Sequence, residues 1–288
     1  MLPPIDKDAN KYSRGSLLII AGSARYPGAA VLAAQAAARA GAGYVSLAVP
    51  ASVVPIAQSH LLTVPVLAAQ EQDGGFAADG LADLIGQAKH LDAILCGPGM
   101  TVTSQTHGFL AQLLRQAPCP LVLDADALNL LAGWAGGEPL AGGSPAAVEP
   151  LYPLLPPGSV LTPHGGELDR LLQATGAESA EQLALTLQAT IVAKGPQTVV
   201  YPHESGRSSY RYTDGTPALA KAGTGDVLAG IIAALLAQGA TAWQAAVSGV
   251  QLHGRAGLLA EMNGSRRSLI ARDIIDGLPH ALREIEGI

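Results

Sequence analysis

Short apolar runs alternate with longer helical patterns along almost the whole chain of 288 residues. The apolar runs are short, and glycine or proline flanks several of them, so they are typical of β-strands. The predicted strands are residues 16–21, 44–49, 93–96, 121–124, 160–161, 190–193 and 198–201. The predicted helices between them are residues 29–40, 81–89, 106–116, 168–175 and 180–189. This alternation predicts an α/β fold with a mostly parallel sheet covered by helices on both faces.

The pattern changes in the last third of the chain. Residues 201–212 alternate polar and aromatic side chains around Glu204-Ser205-Gly206, which predicts an antiparallel hairpin at the sheet edge. Helices are then predicted at residues 227–238, 242–261 and 271–285. Residues 133–158 are rich in glycine and proline and have no period, so we expect an irregular surface segment there. No change of composition follows it, and the sequence predicts a single domain over residues 1–288.

Composition and charge exclude several classes of protein. The net charge is −6 without a block of lysine and arginine, which argues against a nucleic-acid partner. Cys96 and Cys119 are too few for a disulfide framework and favour a reducing compartment. The first residues are charged, unlike a secretory signal, and the longest uncharged apolar segment is about half a membrane span. We therefore expect a cytoplasmic protein with no membrane partner.

The segment Gly223-Thr224-Gly225-Asp226 leads directly into the apolar helix predicted at residues 227–238. Backbone N–H groups at such a helix start can converge on an anion, and Asp226 would project a carboxylate into the same space. These are the requirements of phosphoryl transfer. The plainer alternative is a helix N-cap with a flexible approach, and a lone loop of this kind does not decide between the two.

Two further glycine-containing loops follow predicted strands, where ligands gather in open α/β sheets. Residues 22–30 include Arg25 and Tyr26 and fit either an ordinary βα loop or a ligand contact. Gly97-Pro98-Gly99 fits either a tight turn or a close approach of the backbone to a bulky ligand.

Polar residues mark the ends of three more strands. Thr162-Pro163-His164-Gly165-Gly166-Glu167 begins a helix, and Glu167 could hold a magnesium-bound water or simply favour the helix dipole. Lys194 could contact a nucleotide, although an exposed loop lysine is the plainer interpretation. Asp124 and Asp126 suggest a metal or acid/base pair, but we favour Asp126 as the N-cap of a helix beginning at Ala127.

Taken together in this order, these motifs resemble the ribokinase-like superfamily, and most closely the ADP- or ATP-dependent NAD(P)H-hydrate dehydratase family. The motifs are Gly97-Pro98-Gly99, Asp124-Ala125-Asp126-Ala127-Leu128, Thr162-Pro163-His164-Gly165-Gly166-Glu167, Lys194-Gly195 and Gly223-Thr224-Gly225-Asp226. The resemblance extends from about Arg14 to the last helix. It implies a ribokinase-like three-layer sandwich. Gly165 departs from the proline or asparagine common in the family.

The resemblance also implies an activity, the repair of damaged nicotinamide cofactors. The S form of the hydrate, NADHX or NADPHX, would be phosphorylated on its hydroxyl by ADP or ATP, and phosphate would then leave to restore NADH or NADPH. The alternative within the superfamily is a kinase of a small alcohol of the hydroxyethylthiazole or hydroxymethylpyrimidine type. A nucleotide-binding sensor without catalysis is disfavoured because Asp226 and Glu167 are both present.

Matching the family's motifs residue by residue assigns expected roles. Asp226 would be the catalytic base, and the amides of Gly223 and Gly225 would stabilise the transferring phosphoryl group. The expected hydrate-binding residues are Ala30, Gly99, His164, Gly165, Gly166, Glu167 and Asp226. The expected nucleotide-binding residues are Lys194, Gly195, Pro196, Gln197, Thr198, Lys221, Gly223, Thr224 and Gly225.

The resemblance implies Mg²⁺ as cofactor, with Glu167 a candidate contact through water, and ADP or ATP as co-substrate. It also implies a homo-oligomer, often a tetramer. Some family members carry an N-terminal epimerase domain, whereas only about 15 residues precede the first predicted strand here. We therefore expect a separate protein to supply any enzymatic epimerisation.

Overall fold

A nine-stranded sheet lies at the centre of the computed structural model, which describes residues 2–88, 90–135 and 155–288. Its strands in chain order are β1 (Ser16–Ile20), β2 (Tyr44–Pro50), β3 (Val66–Ala69), β6 (Ala93–Cys96), β7 (Leu121–Leu123), β8 (Val160–Leu161), β9 (Thr190–Ala193), β10 (Thr198–Tyr201) and β11 (Tyr210–Tyr212). Their spatial order is β3-β2-β1-β6-β7-β8-β9-β10-β11. Neighbours from β3 to β9 are parallel, and β10 is antiparallel to both β9 and β11. A separate small hairpin pairs β4 (Glu71–Gln72) with β5 (Gly75–Phe76).

Helices cover both faces of the sheet and give three layers. The described helices are α1 (Pro27–Arg39), α2 (Val54–His60), α3 (Leu81–Gln87), α4 (Ser104–Gln116), α5 (Asp126–Ala135), α6 (Gly165–Thr175), α7 (Ala180–Leu187), α8 (Thr224–Ala237), α9 (Ala242–Asn263) and α10 (Ala271–Glu286). Helices α1, α2, α8, α9 and α10 share one hydrophobic core, and helices α3 to α7 share the other. The predicted three-layer α/β sandwich is confirmed.

The side chains of β1 show why both faces need a cover. Leu17 and Ile19 belong to one core, whereas Leu18 and Ile20 belong to the other, and all four are fully buried. Successive side chains of a strand point to opposite faces, so a strand that is apolar at every position must be buried on both sides.

Helix α8 lies inside its layer between α1, α9 and the sheet. Every residue from Val227 to Ala237 is buried. Small residues allow this close packing, because a Cβ added to Gly230 would lie 2.3 Å from the Ala33 carbonyl oxygen, and one added to Gly249 would lie 2.6 Å from Ile232. The apolar helix that follows the Gly-Thr-Gly-Asp segment is therefore a fixed element of the core.

The order of the strands defines where a ligand is expected. The chain proceeds from β1 through β2 to β3 on one side, and then returns to place β6 on the other side of β1. This reversal creates a crevice at the carboxyl ends of β1 and β6. The loops there contact each other, since the Gly22 N–H donates to the Pro98 carbonyl oxygen at 2.7 Å.

All seven strands predicted from the apolar runs occur, with ends that differ by one residue at most. The hairpin at the sheet edge is also confirmed, with β10 and β11 as its arms. Strand β3 and helix α2 were missed because their segments are short and a proline lies before or within each of them. The segment predicted to be irregular, residues 133–158, lies mostly outside the described residues; residues 133–135 belong to α5.

The prediction that Asp126 caps a helix beginning at Ala127 is wrong. Helix α5 begins at Asp126 itself, after Ala125 with a φ of 50°. The Asp126 carboxylate accepts a hydrogen bond from the Thr101 backbone N–H at 2.8 Å. It therefore connects α5 to the loop after β6.

Among the described helices, none is long and apolar enough to cross a membrane.

Candidate functional site

Helix α8 begins with backbone donors that no side chain caps. Its N-cap, Gly223, has a φ of 88°, a left-handed conformation that glycine adopts without strain. A Cβ at this position would also lie 2.7 Å from Leu32 Cδ1. The Thr224 hydroxyl donates to the carbonyl oxygens of Leu219 and Lys221, so it fixes the preceding loop and does not cap the helix. The first turn of α8 thus retains the N–H groups and the positive dipole end that attract an anion.

Asp226 lies in this first turn and has a strongly perturbed acidity. The pKa of its carboxyl group is raised to about 7, chiefly by burial and then by the neighbouring Asp124 carboxylate, while the charge of Lys194 opposes the rise. Asp126 and Glu167 act in the same direction as Asp124. A carboxylate with a pKa near neutrality can accept a proton during a reaction and release it afterwards.

A buried ion pair lies beside this helix start. Lys194 Nζ donates to Asp124 Oδ1 at 2.6 Å, and the Thr162 hydroxyl donates to the same oxygen at 2.7 Å. Asp124 is 1% exposed. Burial opposes the charged form of Lys194, but the Asp124 and Glu167 carboxylates outweigh this effect and raise its pKa. The ammonium group is therefore held in place at the carboxyl ends of β7 and β9.

The Lys194 ammonium group also faces the start of α8. A Cβ added to Gly225 would lie 3.4 Å from Lys194 Nζ, so the absence of a side chain at Gly225 keeps the lysine close to the helix. The plainer interpretation of Lys194 as an exposed loop lysine is wrong, because its side chain is only 18% exposed. The lysine and the first turn of α8 together form a positively polarised surface.

The N-terminus of α6 uses its own side chains as caps. His164 Nδ1 accepts from the Gly166 N–H at 3.0 Å, and Glu167 Oε2 accepts from the His164 N–H at 2.8 Å. The other Glu167 oxygen lies 3.2 Å from His164 Nε2. Burial raises the pKa of Glu167, while Lys194, 4.0 Å away, lowers it. Glu167 is therefore the capping carboxylate of α6 in this structure.

A cavity of about 680 Å³ opens beside the start of α8. Seven of the expected nucleotide-binding residues line it, namely Lys194, Gly195, Pro196, Thr198, Lys221, Thr224 and Gly225. Gln197 and Gly223 belong to the same segments but do not line it. Apolar and aromatic side chains line the rest of the wall, among them Tyr212, Leu219, Leu228 and Val250. The cavity combines a polar end for an anion with an apolar end for a flat ring.

Most of the expected hydrate-binding residues do not line this cavity. Gly99 packs against the loop before α1, since a Cβ on it would lie 2.9 Å from Tyr26 Cβ. Ala30 is fully buried in α1. His164 is the one member of this group that also lines the cavity described above. Gly165, Gly166 and Glu167 follow it in the first turn of α6.

Sequence reasoning missed two features of this region. Asp124 was considered with Asp126 as a metal or acid/base pair, but its ion pair with Lys194 was not foreseen. His253, in the middle of α9, lines the cavity and is buried, and no local motif marks it. Its position could have been found only by knowing that α9 packs against α8.

The chain is similar to known proteins that share one description. The family model described as NAD(P)H-hydrate dehydratase matches residues 17–280. A bifunctional NAD(P)H-hydrate repair enzyme from Salinibacter ruber is 38% identical over 98% of this chain, which spans 51% of that protein's length. An ADP-dependent (S)-NAD(P)H-hydrate dehydratase from Xanthomonas campestris is 34% identical over 95% of the chain and 90% of its own length.

A solved structure agrees with these sequence matches. The ADP/ATP-dependent NAD(P)H-hydrate dehydratase from Bacillus subtilis, co-crystallised with ATP and Mg²⁺, superposes with a TM-score of 0.77 at 32% identity. The match covers 98% of this chain and 94% of the Bacillus chain. All three relatives are named for hydrate repair or dehydration, which favours the dehydratase over the small-alcohol kinase.

Proposed function

Because this chain belongs to the NAD(P)H-hydrate dehydratase family, we propose that it converts the S form of NADHX or NADPHX to NADH or NADPH with ADP or ATP. The strongest support comes from the start of α8, where a site that attracts an anion and a candidate base occur in the same turn. The anion-attracting first turn faces Lys194 and the cavity, and Asp226, with a pKa of about 7, lies in the same turn.

The nucleotide would bind in the cavity with its phosphates at the polar end. The N–H groups of Gly225 and its neighbours, the Lys194 ammonium group and Lys221 would offset the phosphate charge. Gly223 would contribute by leaving the helix end open. Residues 195–198 would form the opposite rim, and the adenine ring would lie among the apolar side chains of the wall.

Asp226 would act as the base of the first step. Its carboxylate takes the proton of the hydrate hydroxyl, whose oxygen forms a bond to the terminal phosphorus. The bond from that phosphorus to the bridging oxygen breaks, so that ADP leaves AMP, or ATP leaves ADP. The carbon–oxygen bond then breaks with phosphate as the leaving group, and loss of a proton from the neighbouring ring carbon restores the double bond. Phosphorylation is needed because hydroxide is a poor leaving group.

Magnesium fits this site only as a largely hydrated ion. Among the described residues no group of three histidine, cysteine or acidic side chains is arranged to hold a metal. Both Glu167 oxygens already contact His164. A magnesium ion that takes its ligands from phosphate and water needs no such cage, and Glu167 would then contact it through water. The ion would supply charge neutralisation to the phosphates.

The hydrate would bind on the other side of α8, against Gly99, the backbone around Ala30, and residues 164–167. This assignment is supported by proximity, because the charges of both Glu167 and Lys194 act on Asp226. We further propose a tetramer in a cytoplasmic compartment, with a separate epimerase acting in the same pathway. Mass measurement of the purified protein in solution tests the assembly.

The decisive experiment incubates the protein with (S)-NADHX or (S)-NADPHX, Mg²⁺, and either ADP or ATP. We expect the absorbance of reduced nicotinamide to return, together with stoichiometric AMP or ADP and phosphate. Asp226→Asn should lose this signal, while Asp276→Asn, an exposed aspartate that pairs with Arg272, should keep it. No signal from the wild-type protein with either nucleotide rejects the proposal. A stable phosphorylated product without reduced nicotinamide would indicate a kinase instead.

A further inference from the structure

His253 is a buried histidine in the wall of the nucleotide cavity. It lies on α9, is 8% exposed, and its Nε2 atom has no hydrogen-bond partner in the structure. Leaving a buried polar atom without a partner destabilises the folded protein. The other such atoms among the described residues belong to Arg14, Thr190 and His203, none of which lines this cavity. Of these four residues, His253 is the one that lines the cavity, and so the one placed to meet a cavity ligand.

The charge of His253 restricts the chemistry of that ligand. The pKa of the imidazole is lowered to about 4, chiefly by burial and in smaller part by the charge of Lys194, while the hydrogen bond with the Thr224 backbone opposes this effect. The ring is therefore neutral at physiological pH and carries one N–H donor and one acceptor nitrogen. A neutral ring does not offset phosphate charge, so a neutral polar group is the better match.

The position of His253 selects one part of a nucleotide. The ring lies next to the Thr224 backbone, at the start of α8 where the phosphates are expected. The apolar wall of Tyr212, Leu219, Leu228 and Val250 lies in the same cavity and suits the base. In a nucleoside diphosphate or triphosphate the ribose connects these two parts. The ribose hydroxyls are neutral polar groups between these two parts, and they match a neutral imidazole that lies near Thr224 in this cavity.

We propose that His253 Nε2 forms a hydrogen bond with a ribose hydroxyl of the nucleotide and makes the site selective for ribonucleotides. This inference rests on the proposed function only for the identity of the co-substrate. A hydroxyl both donates and accepts, so it satisfies Nε2 in either neutral tautomer. The contact also removes the cost of leaving Nε2 without a partner.

Calorimetric titration of the protein without the hydrate tests the contact apart from the activity. The probes are ADP, 2′-deoxy-ADP, 3′-deoxy-ADP, the diphosphate of purine riboside, which lacks the amino group, and tripolyphosphate. For the wild-type protein we expect one deoxynucleotide to bind about tenfold more weakly than ADP. A wild-type protein that binds both deoxynucleotides as tightly as ADP overturns the proposal, whether or not hydrate dehydration is observed.

Variants of His253 test whether this residue causes the difference in affinity between ADP and the deoxynucleotide. His253→Leu should bring the affinities for ADP and for that deoxynucleotide to within about twofold, as in a double-mutant cycle. His253→Gln, which keeps a polar group, should retain part of the difference and serves also if the leucine variant does not fold. His60→Ala, at an exposed histidine outside the cavity, should keep the full ratio. If the ratio of the ADP and deoxynucleotide affinities is unchanged in both His253 variants, the ribose contact is contradicted. The same holds if the His253 variants lose affinity only for purine riboside diphosphate or only for tripolyphosphate.

Discussion

The N-termini of α6 and α8 have related sequences but use their backbone donors differently. Each helix has glycine at its second position and an acidic residue at its third, Glu167 in α6 and Asp226 in α8. In α6 the acid bonds back to the N–H of the N-cap, and His164 accepts from Gly166. In α8 the N-cap is Gly223, and no side chain caps the end.

The difference shows what makes a helix start available to a ligand. A capped end has already satisfied its donors, and its acid is engaged in the cap. At the uncapped end the N–H groups remain for a phosphate, and the aspartate is available as a base. Lys194 lies between the two ends, 4.0 Å from Glu167 and facing Gly225. The following predictions test this contrast.

The largest effect is expected from removing the lysine between the two helix ends. Lys194→Met leaves the Asp124 carboxylate buried without its charged partner, so the free energy of unfolding in urea should fall by about 3–5 kcal/mol. The double variant Lys194→Met with Asp124→Leu should recover part of this loss. Lys221→Met, at an exposed residue, should change stability by about 0.5 kcal/mol or less. Equal losses in the two single variants would refute the buried pair.

Adding a methyl group at each helix start compares the two backbones directly. Gly223→Ala forces a left-handed φ on alanine and a contact with Leu32, so unfolding should become easier by about 1–3 kcal/mol, and ADP should bind more weakly. Gly165→Ala, where a Cβ would meet nothing within 4 Å, should change stability by about 0.5 kcal/mol or less. Urea unfolding and calorimetry measure both effects. A larger loss in the α6 variant would contradict the contrast.

The raised pKa of Asp226 predicts two pH dependences. Below about pH 7 the carboxyl group is protonated, so kcat/KM should rise about tenfold per pH unit and level off above its pKa. The folded state also holds this proton where the unfolded chain, with a pKa of 3.8, has released it. The free energy of unfolding should therefore fall as the pH rises from about 4 to 7. In Asp226→Asn this part of the stability profile should disappear; an unaltered profile would show that Asp226 is not its origin.

The smallest effect compares the two acids as caps. Glu167→Ala removes the acceptor for the His164 N–H, so the free energy of unfolding should fall by about 1 kcal/mol. Asp226→Ala removes no cap and relieves a buried charge, so at pH 8 it should not reduce stability. Thermal unfolding at that pH measures both. If Asp226→Ala is the less stable of the two, Asp226 serves as a cap and the contrast fails.

The helix starts that the sequence indicated are encoded by adjacent residues. The Gly223 to Asp226 segment marks an open helix start because a glycine at the N-cap and another in the first turn leave the donors uncovered. The Thr162 to Glu167 segment marks the start of α6, whose N-cap is His164 and whose capping contacts all lie within residues 164–167. Local motifs of this kind can be read from the sequence because both partners of each contact lie within one turn.

The parts that were missed depend on residues far apart in the chain. The ion pair of Lys194 was missed because its partner, Asp124, lies 70 residues earlier, after β7, and β8 separates β7 from β9 in the sheet. Asp126 looked like a helix cap, whereas its acceptor role involves Thr101 in another loop. His253 occupies an ordinary helical position, and only the packing of α9 beside α8 brings it to Thr224.

The sequence by itself determined the alternation of strands and helices, the two glycine-rich helix starts and the presence of an acid in each. Apolar periodicity and local hydrogen bonding fix these features over a few residues. Only the tertiary structure decided which charges meet. Parallel strands bring their carboxyl ends to one edge of the sheet, so Asp124, Lys194 and Asp226 lie together although more than 100 residues separate the first from the last. Burial at that edge then raises the pKa of Asp226, a property that no local motif contains.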